Sequence, residues 1–510
     1  MTEILLSNGM VVTGAGDAPL TCDVLIRDGV IADLGRIPGG HATETIDCSG
    51  LVVAPGFIDA HSHGDHEVLQ HLPNKILQGV TTEIVGNCGF SLFPTKRRLD
   101  GLTDDIFQGD SVRRMRDAAE YFEAVDGARP LVNVAALTGH AALRGSVCEA
   151  RADVTEDELR QMERLLEDSL EAGSIGFSTG LNCMPSGFAR REELVRLCGT
   201  LKQHRAYYTT HMRDYKFKVV EAVDEAIGVA TAAEASLQIS HMQVVGQKNW
   251  HKLAVSLEHI GRAWAEGLDI AMDAYPYLAG CCSLVQLLPQ WSQIGGIPEL
   301  LNRLASPATR DRIACETDDQ MSNSWDDIVV CEENKSLAGK SIASIAAERG
   351  ANSSETALDL LVEKEGQVFI ISFNNNEENL RQVLTHPLTS IISDGFVLKG
   401  ISHPRTYGTY PKFLGEYVRD KGWMSLPDAI AKTSALSAKR FQLRGRGTLA
   451  RGNRADIVVF DASRIGTRSD YAEPAQNPDG IHYVLVNGRV AVRDGQLTSE
   501  RAGMALRSAA

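Results

Sequence analysis

From residue 55 to about 440, short apolar runs alternate with longer stretches of helical character. The runs 80–85, 131–137, 174–177, 206–210, 237–240 and 268–273 have the length and composition of buried strands. Between them, 155–172 spaces its apolar residues along one helical face, and 192–204, 218–233 and 253–266 read as further helices. Strands that alternate with helices argue for parallel βα units. Polar residues recur just after these runs, and a barrel of such units carries its active site at the strand C-termini.

The two ends of the chain have a different texture. Residues 4–6, 10–13, 23–27 and 30–34 look extended, with Asn8-Gly9 and Asp28-Gly29 as turns. Residues 455–461, 483–486 and 489–492 repeat the pattern, with turns at Asn487-Gly488 and Asp494-Gly495. The simplest closure is one small β domain built from 1–54 and 441–510, around a catalytic barrel spanning 55–440. Residues 286–340 break the alternation with Pro289, Gly295-Gly296, Pro298, Pro307 and a polar run at 316–327. This stretch reads as an insertion over the barrel mouth, expected to face the substrate as a lid.

A length of 510 residues suits two or three structural parts. The formal charge of −15 disfavours nucleic acid and anionic membranes as partners, but not a local cationic pocket. No run has the length of a membrane span, and the first residues do not resemble a secretory signal. The 10 cysteines form no CxxC pair or regular framework, so reduced thiols and a cytoplasmic location are expected.

The chemistry gathers at the strand ends. In PGFIDAHSH (55–63), His61 and His63 lie two residues apart, so an extended backbone aims both imidazoles at one point. Cys88 in GNCGF, His211 in TTHMRD, His241 in SHMQ and Asp394 in SDG follow, or lie near the end of, apolar runs. A thiolate with imidazoles suits a borderline-soft ion, which points to Zn²⁺. A catalytic zinc keeps a position open for water and lowers its pKa. Asp394 is then the natural proton carrier between water and a leaving nitrogen.

These motifs, with TGHAALR (138–144), GSIGFSTGL (173–181), DAYPY (273–277), HPRTYGTYPKFLGEYVR (403–419) and GTLARGNRADIVVFD (447–461), resemble the amidohydrolase superfamily. Within it, the chain resembles the N-acyl-D-amino-acid deacylase (D-aminoacylase) family. The resemblance implies an α/β fold: a (β/α)8 TIM barrel, a small β-sandwich from both termini, and an insertion near the barrel mouth. It implies a tightly held zinc on Cys88, His211 and His241. A second, weaker position would use His61, His63 and Asp394, bridged by the Cys88 sulfur. It implies cleavage of the linear amide of an N-acyl-D-amino acid, a small-molecule substrate. Arg405 would hold the substrate α-carboxylate, a role that its planar fork suits independently. Tyr277 and Ser283 would assist, and His140 would lie near the scissile carbonyl.

Several positions depart from the family pattern. Gln243, at a substrate-binding position, stands where many members have lysine, and Tyr215 stands where an acidic residue is usual. Asn182 to Gly187 and Cys281-Cys282 also differ. These changes favour an apolar over an acidic D-amino-acid side chain. The residues leave open hydrolysis of a cyclic amide, dipeptide or aryl amide, and a non-catalytic amidohydrolase-like scaffold. Acyl group and oligomeric state are not legible.

Overall fold

Eight short strands form the centre of the molecule: Phe57–Asp59 (β1), Val80–Val85 (β2), Asn133–Ala136 (β3), Gly176–Gly180 (β4), Tyr207–His211 (β5), Ser236–Ile239 (β6), Ile270–Ala274 (β7) and Thr389–Ile391 (β8). The computed structural model describes residues 3–37, 42–95, 107, 112–332 and 336–508. Neighbouring strands run parallel. β3 connects to β4 through Ile175 N donating to Ala136 O at 2.9 Å. The ring closes where Asp394 N donates to His61 O at 2.8 Å and His63 N to Gly395 O at 3.2 Å. This is the expected (β/α)8 barrel. Its strands are buried almost throughout, as parallel strands covered on both faces require.

The helix Glu156–Glu171 starts where the sequence predicts, on a capping box between Thr155 and Glu158. β4 begins at Gly176, later than the run at 174–177 suggests. Its glycines weaken a strand pattern, yet the packing requires them. A Cβ at Gly176 would lie 2.3 Å from Tyr207 O, and one at Gly180 would lie 2.2 Å from Cys88 O.

Both chain ends enter one nine-stranded sheet. Its central neighbours are Ile457–Phe460, Val52–Pro55 and Glu3–Val11. Alternation sorts its residues: Val53, Ile457, Val459 and Leu485 join the sheet's own core. Val52, Ala54, Val458 and Phe460 pack with the barrel residues Phe57 and Val80. Asn8-Gly9 is not a turn. It is an irregularity inside Glu3–Val11, with Asn8 at φ 60° and a register shift between Leu6 and Gly9. The shift lets one strand pair with Glu44–Asp47 along its first half and with Val52–Pro55 along its second. Asp28-Gly29, Asn487-Gly488 and Asp494-Gly495 do turn the chain, each with two positive φ angles.

Between β7 and β8 the chain builds a separate lobe. Ala279–Ser283, Phe369–Phe373 and Ile328–Val330 form a three-stranded antiparallel sheet. Helices including Gly296–Leu304 and Ser353–Glu363 share a core with it around Leu300, Ile313, Leu361 and Ile370. The lobe is longer than the 286–340 expected, because its outer strands lie beyond both limits. The strand AGCCS carries small residues and gives no apolar alternation to read. Among the described residues, no helix is long and apolar enough to cross a membrane.

Candidate metal centre

All six expected ligands converge at the C-terminal mouth of the barrel. His61 and His63 follow β1, Cys88 follows β2, His211 ends β5, His241 follows β6 and Asp394 follows β8. Cys88, His241 and Asp394 have φ of 52°, 34° and 50°. A left-handed non-glycine residue costs roughly 1–3 kcal/mol and persists where its surroundings hold it, often at functional sites.

Two donor groups form, and Cys88 belongs to both. His61, His63, Cys88 and Asp394 make one; Cys88, His211 and His241 make the other, with ligand atoms in each group within 4.8 Å of one another. Cys88 Sγ lies 3.2 Å from His61 Nε2, 3.6 Å from His211 Nδ1 and 3.5 Å from His241 Nε2. Asp394 Oδ1 lies 3.0 Å from His63 Nε2 and 3.4 Å from His61 Nε2. Sulfur and nitrogen ligands on one tetrahedral zinc stand about 3.5 Å apart, given the usual bond lengths. The donor set therefore fits that ion in chemistry and in spacing.

The electrostatics agree with that fit. Burial, with Asp394 nearby, pushes the Cys88 thiol well above its ordinary pKa, so its thiolate form needs a cation beside it. Burial lowers His211 to about 3 and depresses His241, which keeps both imidazoles neutral, the ligating form. Burial would raise Asp394, but Arg405, His63 and His61 outweigh it and hold the carboxyl well below the usual range.

Other side chains aim the ligands. Asp273 Oδ1 accepts from His241 N at 2.6 Å and lies 3.4 Å from His61 Nδ1. Its other oxygen accepts from Gln238 Nε2 at 2.8 Å. DAYPY stands out in the sequence as a motif, but nothing there gives its aspartate a role. A carboxylate behind a metal-ligating histidine fixes the ring and its tautomer. Asp273→Ala is expected to weaken metal affinity by roughly 10–100-fold; competition with a chelator measures this, and an unchanged affinity would remove Asp273 from the centre. Tyr215 packs its ring edge against His211 at 4.9 Å between centroids. Its hydroxyl accepts from Met212 N at 3.0 Å and donates to Ser240 O at 2.9 Å, tying the His211 loop to the His241 loop.

Arg405 reaches the centre, buried, with Nη1 2.9 Å from Asp394 Oδ2 and its guanidinium 4.6 Å over the Tyr275 ring. Its Nε has no hydrogen-bond partner among the described residues. Together with Ser283, Arg405 lines a cavity whose apolar and thiol wall includes Phe90, Cys183, Met184, Cys282, Val285 and Phe396. The lobe between β7 and β8 supplies Cys281, Cys282, Ser283, Val285 and Gln286 to the cavity lining, so it covers the barrel mouth.

Three expected substrate residues are placed differently, and none is among the lining residues. The Tyr277 hydroxyl donates to Pro404 O at 3.3 Å and braces the segment that carries Arg405. Gln243 accepts from the Tyr275 hydroxyl at 3.3 Å, one contact behind Arg405. His140 heads the helix His140–Val147 and pairs with Glu193 at 2.9 Å, beside Arg144. The chain turns into that helix directly after TG, which carries His140 away from the cavity wall.

A parallel barrel with a buried sulfur, imidazole and carboxylate centre at its mouth is the architecture of a metal-dependent hydrolase. The amidohydrolase family model matches residues 44–492. The chain is 32% identical over 507 residues to a D-aminoacylase of Alcaligenes xylosoxydans xylosoxydans, covering 99% of this chain and 97% of that one. It is 35% identical over 508 residues to an N-acyl-D-glutamate deacylase of the same organism, covering 99% and 96%. Among solved structures, an N-acyl-D-glutamate deacylase from Bordetella bronchiseptica, complexed with zinc and a phosphonate inhibitor, superposes with a TM-score of 0.87 at 31% identity over 99% of both chains. The chain belongs to the amidohydrolase family and, within it, to the N-acyl-D-amino-acid deacylases.

Proposed function

We propose that this enzyme hydrolyses the linear amide of N-acyl-D-amino acids with zinc, releasing a carboxylate and the free D-amino acid. The observation that carries the reading is Asp394: one oxygen faces His61 and His63, and the other meets Arg405. Cys88, His211 and His241 would hold the tight zinc, and His61, His63 and Asp394, with the Cys88 sulfur, would hold a weaker one. Bound zinc supplies Lewis acidity to the acyl carbonyl and lowers the pKa of water. Asp394 accepts the proton of the attacking water and delivers it to the leaving nitrogen. Arg405 keeps its unpaired Nε and the rest of its fork for the substrate α-carboxylate. Ser283 lines the same cavity and completes the polar side. The D configuration rests on the relatives, since ligand geometry carries no handedness.

The cavity wall supports an apolar amino-acid side chain. Phe90, Cys183, Met184 and Phe396 give that wall carbon and sulfur surface, while Gln243, where many family members have lysine, stands one contact behind Arg405 rather than in the wall. Identity to the two Alcaligenes enzymes, 32% and 35%, does not separate an acidic from an apolar preference. The test is hydrolysis of matched N-acetyl-D- and N-acetyl-L-amino acids, with zinc determined on the same preparation. Turnover of the D series with bound zinc is expected, with D-methionine and D-phenylalanine ahead of D-glutamate. Zinc without activity on either series would overturn the substrate class, and faster D-glutamate turnover would overturn the apolar preference.

A further inference from the structure

Beneath the centre lies a buried lysine that the reaction itself does not use. Lys75 Nζ donates to Asp59 Oδ2 at 2.6 Å, to Ser393 Oγ at 2.6 Å and to Ser62 Oγ at 3.0 Å. Asp59 ends β1; Ser62 stands between His61 and His63; Ser393 immediately precedes Asp394. The contacts interlock. Asp59 Oδ1 accepts from Ser393 N at 2.9 Å, and Asp59 Oδ2 accepts from Ser393 Oγ. Ser62 Oγ donates to Glu83 Oε2 at 2.6 Å, which lies 3.6 Å from the ammonium. Ser62 Oγ also accepts from Gly64 N, and Ser393 Oγ from Gly395 N, fixing both loops just past the ligands.

We propose that Lys75 is a positioning residue that fastens the seam between β1 and β8 and thereby sets the His61, His63 and Asp394 ligand group. The seam has few backbone bonds, chiefly Asp394 to His61 and His63 to Gly395. A three-donor ammonium is suited to cross-linking it, because each donor can meet a different segment. Burial disfavours the charge on Lys75, but Asp59 and Glu83 outweigh it and keep the ammonium form. Among the described residues, Lys75 makes no hydrogen bond or ion pair with the loops carrying Cys88, His211 and His241. Its loss therefore acts on one ligand group and spares the other.

The inference rests on the zinc reading above, and its test separates the two. The full-length protein is stripped with chelator and titrated with zinc. Cobalt is used in parallel, since its thiolate charge-transfer band reports Cys88 with its metal. Lys75→Met leaves the buried Asp59 without its cation and can fail to fold, so two further variants decide the matter. Lys75→Met/Asp59→Asn removes both charges, and Ser393→Ala removes the hydroxyl's bonds to Lys75, Asp59 and Gly395 N without touching charge. Outer-shell changes weaken metal binding roughly 10–100-fold. That loss is expected for the weaker equivalent alone, largest in the double variant, with the tight equivalent and the cobalt band of wild type. Parallel loss of both equivalents, or loss of neither, overturns the positioning role. Failure of the wild-type protein to bind zinc at all would instead overturn the metal reading.

Discussion

Asp394→Asn is expected to lower kcat by roughly 10²–10⁴-fold, the range for loss of a positioned acid–base group. The amide has the shape of the carboxylate and can still accept from Arg405. It cannot take a proton from water and return it to nitrogen. Asp394 is the one carboxylate among the described residues lining the cavity, so nothing stands ready to replace it. The tight zinc should remain, because Cys88, His211 and His241 are unchanged. Steady-state kinetics on the preferred N-acetyl-D-amino acid, with zinc content measured alongside, checks both halves. Turnover close to wild type would place the proton carrier elsewhere.

The candidate ligand set is legible in the sequence because it repeats. A histidine or cysteine after one apolar run says little, but His61, Cys88, His211 and His241 occur at equivalent places in four βα units of the barrel, those of β1, β2, β5 and β6. That regularity follows from the barrel, which gathers strand ends at one mouth. Motif resemblance supplies the division between a tight and a weaker position, which spacing alone leaves open. Asp273 and Lys75 are not legible as supports. Each acts through contacts between segments far apart in sequence, such as Lys75 with Ser393, and no local pattern marks such a partner. His140 and Tyr277 sit in recognisable motifs, yet their side chains turn to Glu193 and to the Pro404 carbonyl. A motif fixes a backbone path more firmly than it fixes the group a side chain meets. Asn8-Gly9 shows the same ambiguity in the backbone, since left-handed φ serves a bulge as well as a turn.

Cys88→Ala has the widest consequence expected of any single substitution, because its sulfur belongs to both donor groups. Removing His63 would thin only the weaker position. Removing the sulfur takes the one soft, anionic ligand from the tight position and the bridge from the other. The remaining imidazoles of His211 and His241 are neutral, so nothing replaces the lost charge. Metal affinity should therefore fall by more than the roughly 100-fold upper range of an outer-shell change, with zinc lost on dialysis against chelator. Turnover should fall with it, and added zinc should restore little. The packing change itself is small, one sulfur beside Phe90 and Cys183 at the cavity, so a folded variant is expected and a thermal melt verifies it. A Cys88→Ala variant that kept zinc and full turnover would remove the sulfur from the centre.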